Sequence, residues 1–155
     1  MITVRRMLAV FALAVAVATL AALPAAAQTT TRCTAFAVLQ PGNEVPPSNS
    51  QASGATLVRI NGTSLRFATV ISNPAREVFF AGHIHEGVAG VNGDIVVPLF
   101  GGPDTNRRLF TQFDSVTIDQ ELAAAICGDP AAYYVNYHTR ANPGGAIRGQ
   151  LTRLF

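Results

Sequence analysis

Two of the chain's three histidines stand two residues apart, in His83-Ile84-His85. On a β-strand, residues i and i+2 share a face, so both imidazoles would project to one side with about 6–7 Å between their Cα atoms. A helix would separate them by about 200°. The third histidine, His138, ends a Tyr-rich segment and joins the pair if the two segments are neighbouring strands in matching register.

Neutral imidazole is a good ligand for copper and zinc, and three histidines with an open coordination position are typical of reactive metal sites. The pattern predicts that His83, His85 and His138 bind one copper or zinc ion. Alternatively, they are hydrogen-bonding residues of the sheet and its loops. Glu86 and Asp94 lie close in sequence, where they would ligate the metal, support its ligands or cap the loop.

Other chemistries have little support in the sequence. All 11 basic residues are Arg, which excludes Schiff-base and P-loop chemistry based on Lys. The chain has no G-x-S-x-G motif, and its acidic residues are scattered singly. The glycine-rich segment 87–93 is followed by neither a helix nor a Lys, so it is typical of a turn-forming loop.

The first 27 residues have the pattern of a secretory signal peptide. Arg5 and Arg6 precede the apolar run 7–23, and an A-x-A site ends at Ala27. We therefore expect cleavage after Ala27 and a single domain over 28–155 that is periplasmic, attached to the cell envelope or secreted. A retained membrane anchor is the alternative. The predicted domain has nine Arg and nine acidic residues, and this zero net charge argues against a nucleic-acid partner.

The two cysteines, Cys33 and Cys127, both fall in the predicted mature domain. In an oxidising compartment an even count predicts one disulfide, which would close a loop of about 95 residues. Two free buried thiols are the alternative.

Short runs rich in β-branched and aromatic residues alternate with turn residues every 8 to 15 positions. Asn61-Gly62 between two alternating runs is a strong hairpin signal. Residues 120–127 alone predict a helix, capped by Asp119. This pattern predicts an antiparallel all-β sandwich or a closed barrel with one short helix. The predicted strands are 33–39, 54–60, 64–72, 77–85, 94–100, 109–117, 132–139 and 146–154.

Several motifs resemble the CHRD domain, a family named for chordin and also found in exported bacterial proteins. The resemblance covers roughly residues 34 to 155 and implies an all-β, Greek-key sandwich of the immunoglobulin or superoxide dismutase kind. One departure is Ala146, where the family usually has Glu; Arg148 therefore lacks that acidic neighbour and is expected to form a salt bridge elsewhere. The motifs are Glu44-Val45-Pro46-Pro47, Ala81-Gly82-His83-Ile84-His85-Glu86-Gly87, Gly90-Val91-Asn92-Gly93, Tyr134-Val135-Asn136-Tyr137-His138-Thr139 and Pro143-Gly144-Gly145-Ala146-Ile147-Arg148-Gly149-Gln150-Leu151.

The segment His83-Ile84-His85-Glu86-Gly87 is also similar to a strand of copper/zinc superoxide dismutases. That similarity implies that His83 and His85 match two copper ligands, with His138 as a third. Three histidines in total exclude a complete dinuclear site, so full dismutase function is not expected.

We therefore consider three functions. A binding module that holds one copper or zinc ion is the first. The second is a metal-free interaction domain of the envelope or extracellular matrix, whose Tyr-rich strand 132–139 and loops contact a protein or polysaccharide. A mononuclear copper enzyme that handles superoxide is the third. The patterns favour a binding module over an enzyme, with Glu86, Asp94 and Arg148 as candidate supports of the histidines.

Overall fold

The computed structural model describes residues 30–154, which form two antiparallel β-sheets and one short α-helix. Short 3-10 helices cover Pro41–Asn43 and Pro130–Ala132. The strands are β1 (Arg32–Leu39), β2 (Ser53–Asn61), β3 (Ser64–Ser72), β4 (Phe79–Glu86), β5 (Ile95–Phe100), β6 (Leu109–Thr117), β7 (Tyr133–Thr139), β8 (Ile147–Gln150) and β9 (Thr152–Arg153), and the helix is α1 (Gln120–Gly128).

The chain passes repeatedly from one sheet to the other. The five-stranded sheet has the order β6-β3-β2-β1-β9, and the four-stranded sheet has the order β5-β4-β7-β8. The chain leaves β3 for β4 and β5 in the other sheet, and then returns to place β6 beside β3. It crosses again to place β7 beside β4. A strand that returns beside an earlier one across a hairpin gives Greek-key connectivity, so the predicted all-β sandwich is confirmed.

The hydrophobic pattern of the strands explains this packing. In β2 and β3, buried and exposed positions alternate along almost the whole strand, as expected when one face packs on the core. The hairpin between them turns at Gly62, whose φ of +59° is the left-handed conformation that glycine adopts without strain. The predicted hairpin is therefore confirmed, and every predicted strand corresponds to an observed one, although the last is divided into β8 and β9.

A buried tyrosine links the two sheets through the core. Tyr137 of β7 lies against the backbone of Gly82, where a Cβ atom would come within 2.5 Å of the ring. Its hydroxyl donates to Thr69 Oγ1 of β3 at 2.9 Å, and Thr69 Oγ1 lies 2.8 Å from the hydroxyl of Thr56 on β2. Burial raises the pKa of Tyr137 to about 12, so this hydroxyl stays a donor.

The substitution Tyr137→Phe should lower the free energy of unfolding by about 1–2 kcal/mol, because it removes the buried hydrogen bond from the Tyr137 hydroxyl to Thr69. Urea denaturation of the parent and the variant measures the change. Tyr134→Phe, which removes a hydroxyl on the other face of the same strand, serves as a comparison. An unchanged midpoint for Tyr137→Phe would contradict this role for the hydroxyl.

The helix and the disulfide close one end of the sandwich. Asp119 caps α1 by accepting a hydrogen bond from the Leu122 N–H at 2.6 Å, as predicted. Cys127 near the end of α1 is bonded to Cys33 of β1, with 5.5 Å between their Cα atoms, which confirms the predicted disulfide. The predicted leader 1–27 lies outside the described residues, and no helix within residues 30–154 is long and apolar enough to span a membrane.

Candidate metal centre

The three histidines meet on the outer face of the four-stranded sheet. Strands β4 and β7 are antiparallel neighbours, and their register pairs His83 with Asn136 and Ala81 with His138. His138 therefore lies diagonally across from His83 on the same face. The ring centroids are 5.6 Å apart for His83 and His85, 5.0 Å for His83 and His138, and 6.1 Å for His85 and His138. The predicted convergence follows from this register.

One nitrogen of each histidine points into the cluster. One such nitrogen from each ring lies within 4.8 Å of the other two, and His83 Nδ1 is 3.2 Å from His138 Nε2. His85 Nδ1 lies 2.9 Å from the carbonyl oxygen of Gly93, and His138 Nδ1 lies 3.0 Å from that of Pro143. A carbonyl oxygen only accepts, so both Nδ1 atoms carry the proton and both Nε2 atoms have a lone pair.

His85 Nε2 is a buried acceptor without a hydrogen-bond partner in the part of the chain that the structure describes. Such groups are rare in native proteins because an unpaired buried acceptor costs about 1–3 kcal/mol. Its ring cannot turn to relieve this without losing the bond to Gly93. The geometry therefore holds a lone pair in a position where a metal ion would complete its bonding.

All three imidazoles are neutral at neutral pH. Burial lowers the pKa of His83 to about 4, with further lowering by the neighbouring His138 and His85. Burial also lowers the pKa of His85 and of His138, although their hydrogen bonds to backbone carbonyls partly oppose it. Neutral imidazole is the form that binds metal, so the cluster would need no net proton loss. His83 Nδ1 donates to the lone pair of His138 Nε2, so its proton would have to move to His83 Nε2 before Nδ1 could act as a ligand.

A layer of packed side chains fixes the ring of His85. The ring of Tyr134 stacks on it with 4.8 Å between centroids and 9° between planes. Tyr134 Oη accepts a hydrogen bond from the Gly93 N–H at 3.1 Å, and the same Gly93 provides the carbonyl bound to His85. The guanidinium carbon of Arg148 lies 3.3 Å from the centre of the Tyr134 ring, which is a cation–π contact.

Arg148 does not form the predicted salt bridge. Its side chain is 1% exposed and donates hydrogen bonds to Asn92 Oδ1 and to the carbonyl oxygens of Val88 and Val91. No carboxylate within residues 30–154 comes within 4.0 Å of it. Three oxygens of the loop 87–93 replace the expected acid, so Arg148 positions that loop. It packs on the Tyr134 ring, and its positive charge adds to the lowering of the His85 pKa that burial causes.

The acidic residues proposed near the histidines do not contact them. Glu86 and Asp94 are both exposed, and neither side chain is hydrogen-bonded to an imidazole. Asp94 acts at a distance, because its charge slightly opposes the lowering of the His85 pKa. Backbone carbonyls of Gly93 and Pro143 provide the supporting hydrogen bonds instead.

Glu44 is a buried acid at this face whose environment was not apparent from the sequence. It is 5% exposed, and Asn136 Nδ2 donates to its Oε2 at 3.4 Å. Glu44 Oε1 and Asn136 Oδ1 both lack a partner among the described residues. Burial raises the pKa of Glu44 to about 7, and the charge of Arg148 only partly opposes this. The motif Glu44-Val45-Pro46-Pro47 marked this position without indicating its burial.

Glu44→Gln should change how stability depends on pH. The folded-state pKa is raised from 4.5 to about 7, so the folded protein binds this proton more tightly than the unfolded chain. Proton binding at Glu44 stabilises the folded state fully below about pH 4.5, and this stabilisation is lost as the pH rises through 7. We expect the variant to match the parent at pH 4 and to be about 2–3 kcal/mol more stable at pH 8.

Denaturant unfolding from pH 4 to pH 8 measures this difference. The histidines, whose pKa values are lowered, act in the opposite direction in both proteins and cancel from the comparison. Glu121→Gln, at an exposed position, is the matched control. A difference between the parent and Glu44→Gln that does not vary with pH would contradict the proton held on Glu44.

The Tyr-rich strand is not a contact surface. Tyr133, Tyr134 and Tyr137 are all buried, Tyr133 and Tyr137 in the core between the sheets and Tyr134 beneath Arg148. The prediction that this strand contacts a partner was therefore wrong. Loops that cover the outer face of the four-stranded sheet bury the residues expected to be exposed.

Comparison with known proteins gives a family but no closer relative. The family model of the CHRD domain matches residues 35–151, which begin within β1, end just after β8 and include all three histidines. No curated protein and no solved structure matches the chain significantly. The family match agrees with the motifs and the sandwich described above. The chain belongs to the CHRD domain family.

Proposed function

We propose that this CHRD domain is an exported binding module that holds one copper or zinc ion through His83, His85 and His138. The observation that carries the proposal is the buried Nε2 of His85, which has no partner among residues 30–154 and faces two further imidazoles. A metal ion would give this lone pair the bond that it lacks.

The donor set fits the proposed ions. Two imidazole nitrogens bound to one tetrahedral zinc lie about 3.3–3.4 Å apart. His83 Nδ1 and His138 Nε2 are 3.2 Å apart, and the third donor lies within 4.8 Å of both. Side-chain rotations of His83 would bring the three onto one ion, with a fourth position left for another ligand. Three neutral imidazoles without a carboxylate suit copper and zinc better than calcium or magnesium.

The contacts around the three histidines favour a metal site over a cluster that forms hydrogen bonds alone. In metal sites, a ligating histidine usually donates its other ring N–H to a carbonyl or carboxylate. His85 and His138 do so to Gly93 and Pro143, and Tyr134 stacks on His85. These contacts would hold the rings in position before the metal arrives.

Export is supported by two independent features. The disulfide between Cys33 and Cys127 needs an oxidising compartment to persist. The sequence of residues 1–27 has the charged, apolar and small-residue regions of a signal peptide. A module in the periplasm, envelope or extracellular space would meet copper and zinc outside the cytoplasm.

Titration of the purified domain 28–155 with Cu(II) and, separately, Zn(II) tests the proposal. We expect one equivalent to bind and the melting temperature to rise, since a ligand of the folded state stabilises by about 2.7 kcal/mol at 100 times its Kd. Glu86→Gln is the control, because this exposed acid does not contact the histidines and should leave the stoichiometry at one. Failure of both metals to bind would overturn the proposal in favour of a metal-free interaction domain.

A further inference from the structure

A second surface of chemical interest lies on the opposite sheet, away from the histidines. Arg32 of β1, Arg59 of β2 and Arg66 of β3 project from the outer face of the five-stranded sheet. The register pairs Arg59 directly with Arg66, and Arg32 with Asn61, which is two residues from Arg59 on the same face. The three line a groove of about 600 Å³.

Among residues 30–154, no acidic side chain forms an ion pair with these arginines. The salt bridge found within residues 30–154 joins Arg140 to Asp104 elsewhere, and none of the residues that line the groove is acidic. Asp114 on the neighbouring strand pairs in register with Phe67 of the core face, and it accepts a hydrogen bond from the Ser115 N–H. Like charges directly opposite each other in a sheet are destabilising. The pair Arg59 and Arg66 therefore opposes folding unless an anion lies between them.

An apolar surface continues from this groove along the same face. The next row across the strands is Phe36, Leu57, Ala68 and Phe113, and the row beyond it is Val38, Ala55, Val70 and Thr111. Phe113 is 74% exposed, Val38 50% and Val70 45%. An exposed apolar patch of this kind beside unpaired cations indicates a ligand-binding surface.

We propose that this face, defined by Arg32, Arg59, Arg66 and the two apolar rows, binds an acidic polysaccharide. The planar guanidinium groups pair with carboxylate or sulfate groups through two parallel hydrogen bonds. The apolar C–H faces of sugar rings pack on Phe113 and the aliphatic side chains. The exposed face of neighbouring strands can accommodate an extended sugar chain.

The distances to which the side chains project from this surface favour a polysaccharide over a lipid bilayer as the ligand. Insertion into a bilayer needs apolar side chains that project beyond the cations, since the phosphates lie outside the acyl region. Here the arginines are the longest side chains, and Val38, Val70 and Leu57 are shorter. The ligand must therefore place its anionic groups at the ends of the arginine side chains. Its apolar part would pack on the apolar side chains of the sheet.

Binding to dextran sulfate, with unmodified dextran as the uncharged control, tests the proposal. Polygalacturonate tests carboxylate in place of sulfate. We expect the domain 28–155 to bind dextran sulfate or polygalacturonate and not dextran. The double variant Arg59→Gln/Arg66→Gln should bind at least about tenfold more weakly, because it removes two charge-assisted pairs with the ligand. Its melting temperature should not fall, since it relieves a like-charge contact.

Two further variants serve as comparisons for this binding experiment. Arg76→Gln/Arg107→Gln removes the same charge from exposed positions outside the groove and should bind like the parent, apart from a small general charge effect. Phe113→Ser should weaken binding while the melting temperature is unchanged. Equal losses in both arginine double variants, binding to polyglutamate as tight as to polygalacturonate, or binding to phosphatidylglycerol vesicles but to neither acidic polysaccharide would each overturn the proposal.

Discussion

Replacement of His85 by Ala is expected to abolish stoichiometric binding of copper or zinc. Loss of a hydrogen bond that supports a ligand typically costs 10–100-fold in metal affinity, and loss of the ligand itself should cost more than about 100-fold. His85 is the proposed ligand with the most fixed ring, since Gly93 and Tyr134 hold it on two sides. Competition with a chromophoric chelator measures the affinity of the parent and the variant.

The other two histidines provide an internal comparison. His83→Ala and His138→Ala should cause losses of the same order, because two imidazoles cannot make the three-nitrogen site. Tyr134→Phe keeps the stacked ring and removes only the hydroxyl that accepts from Gly93, so it should cost no more than about tenfold. Stoichiometric metal retained at the parent's affinity in all three histidine variants would place the metal elsewhere on the chain.

Removal of the disulfide by Cys33→Ala/Cys127→Ala should lower the free energy of unfolding by about 4–5 kcal/mol. The bond joins residues separated by 94 positions, and the entropy of the unfolded chain falls more when a long loop is closed. A loss of this size is a large part of the stability of a typical domain. Denaturant unfolding of the parent and the double variant measures it.

The reduced parent is the control for this experiment, because it has the same open chain as the double variant and should unfold at nearly the same midpoint. The disulfide lies on β1 and α1, whereas the histidines lie on β4 and β7 of the other sheet. Under conditions where the double variant is folded, it should therefore bind metal like the parent. A stability loss below about 1 kcal/mol would contradict the role of the long loop.

Much of the fold was predictable because its signals are local. Alternating burial in β2 and β3, the turn at Gly62 and the cap at Asp119 each depend on a few consecutive residues. The shared face of His83 and His85 follows from strand geometry alone. To place His138 beside these two histidines also requires the register of β4 against β7, which the tertiary fold determines.

The surroundings of the histidines were not predictable because they depend on contacts between distant segments. The partners of His85 and His138 are backbone carbonyls, which any residue carries and which leave no trace in the sequence. Arg148 was expected to need an acid, but three oxygens of a loop about 60 positions away satisfy it instead. Glu44 lies against Asn136 from a separation of 92 positions, so its burial also depends on the tertiary fold.

The most direct test of the account is the metal content of the protein expressed in its natural host, purified without a His tag or chelator and measured by elemental mass spectrometry. We predict about one copper or zinc per chain, which falls to a small fraction in the His85→Ala variant prepared in the same way. Less than about a tenth of an equivalent in the parent, unchanged after equilibration with excess Cu(II) and Zn(II), would contradict the metal centre.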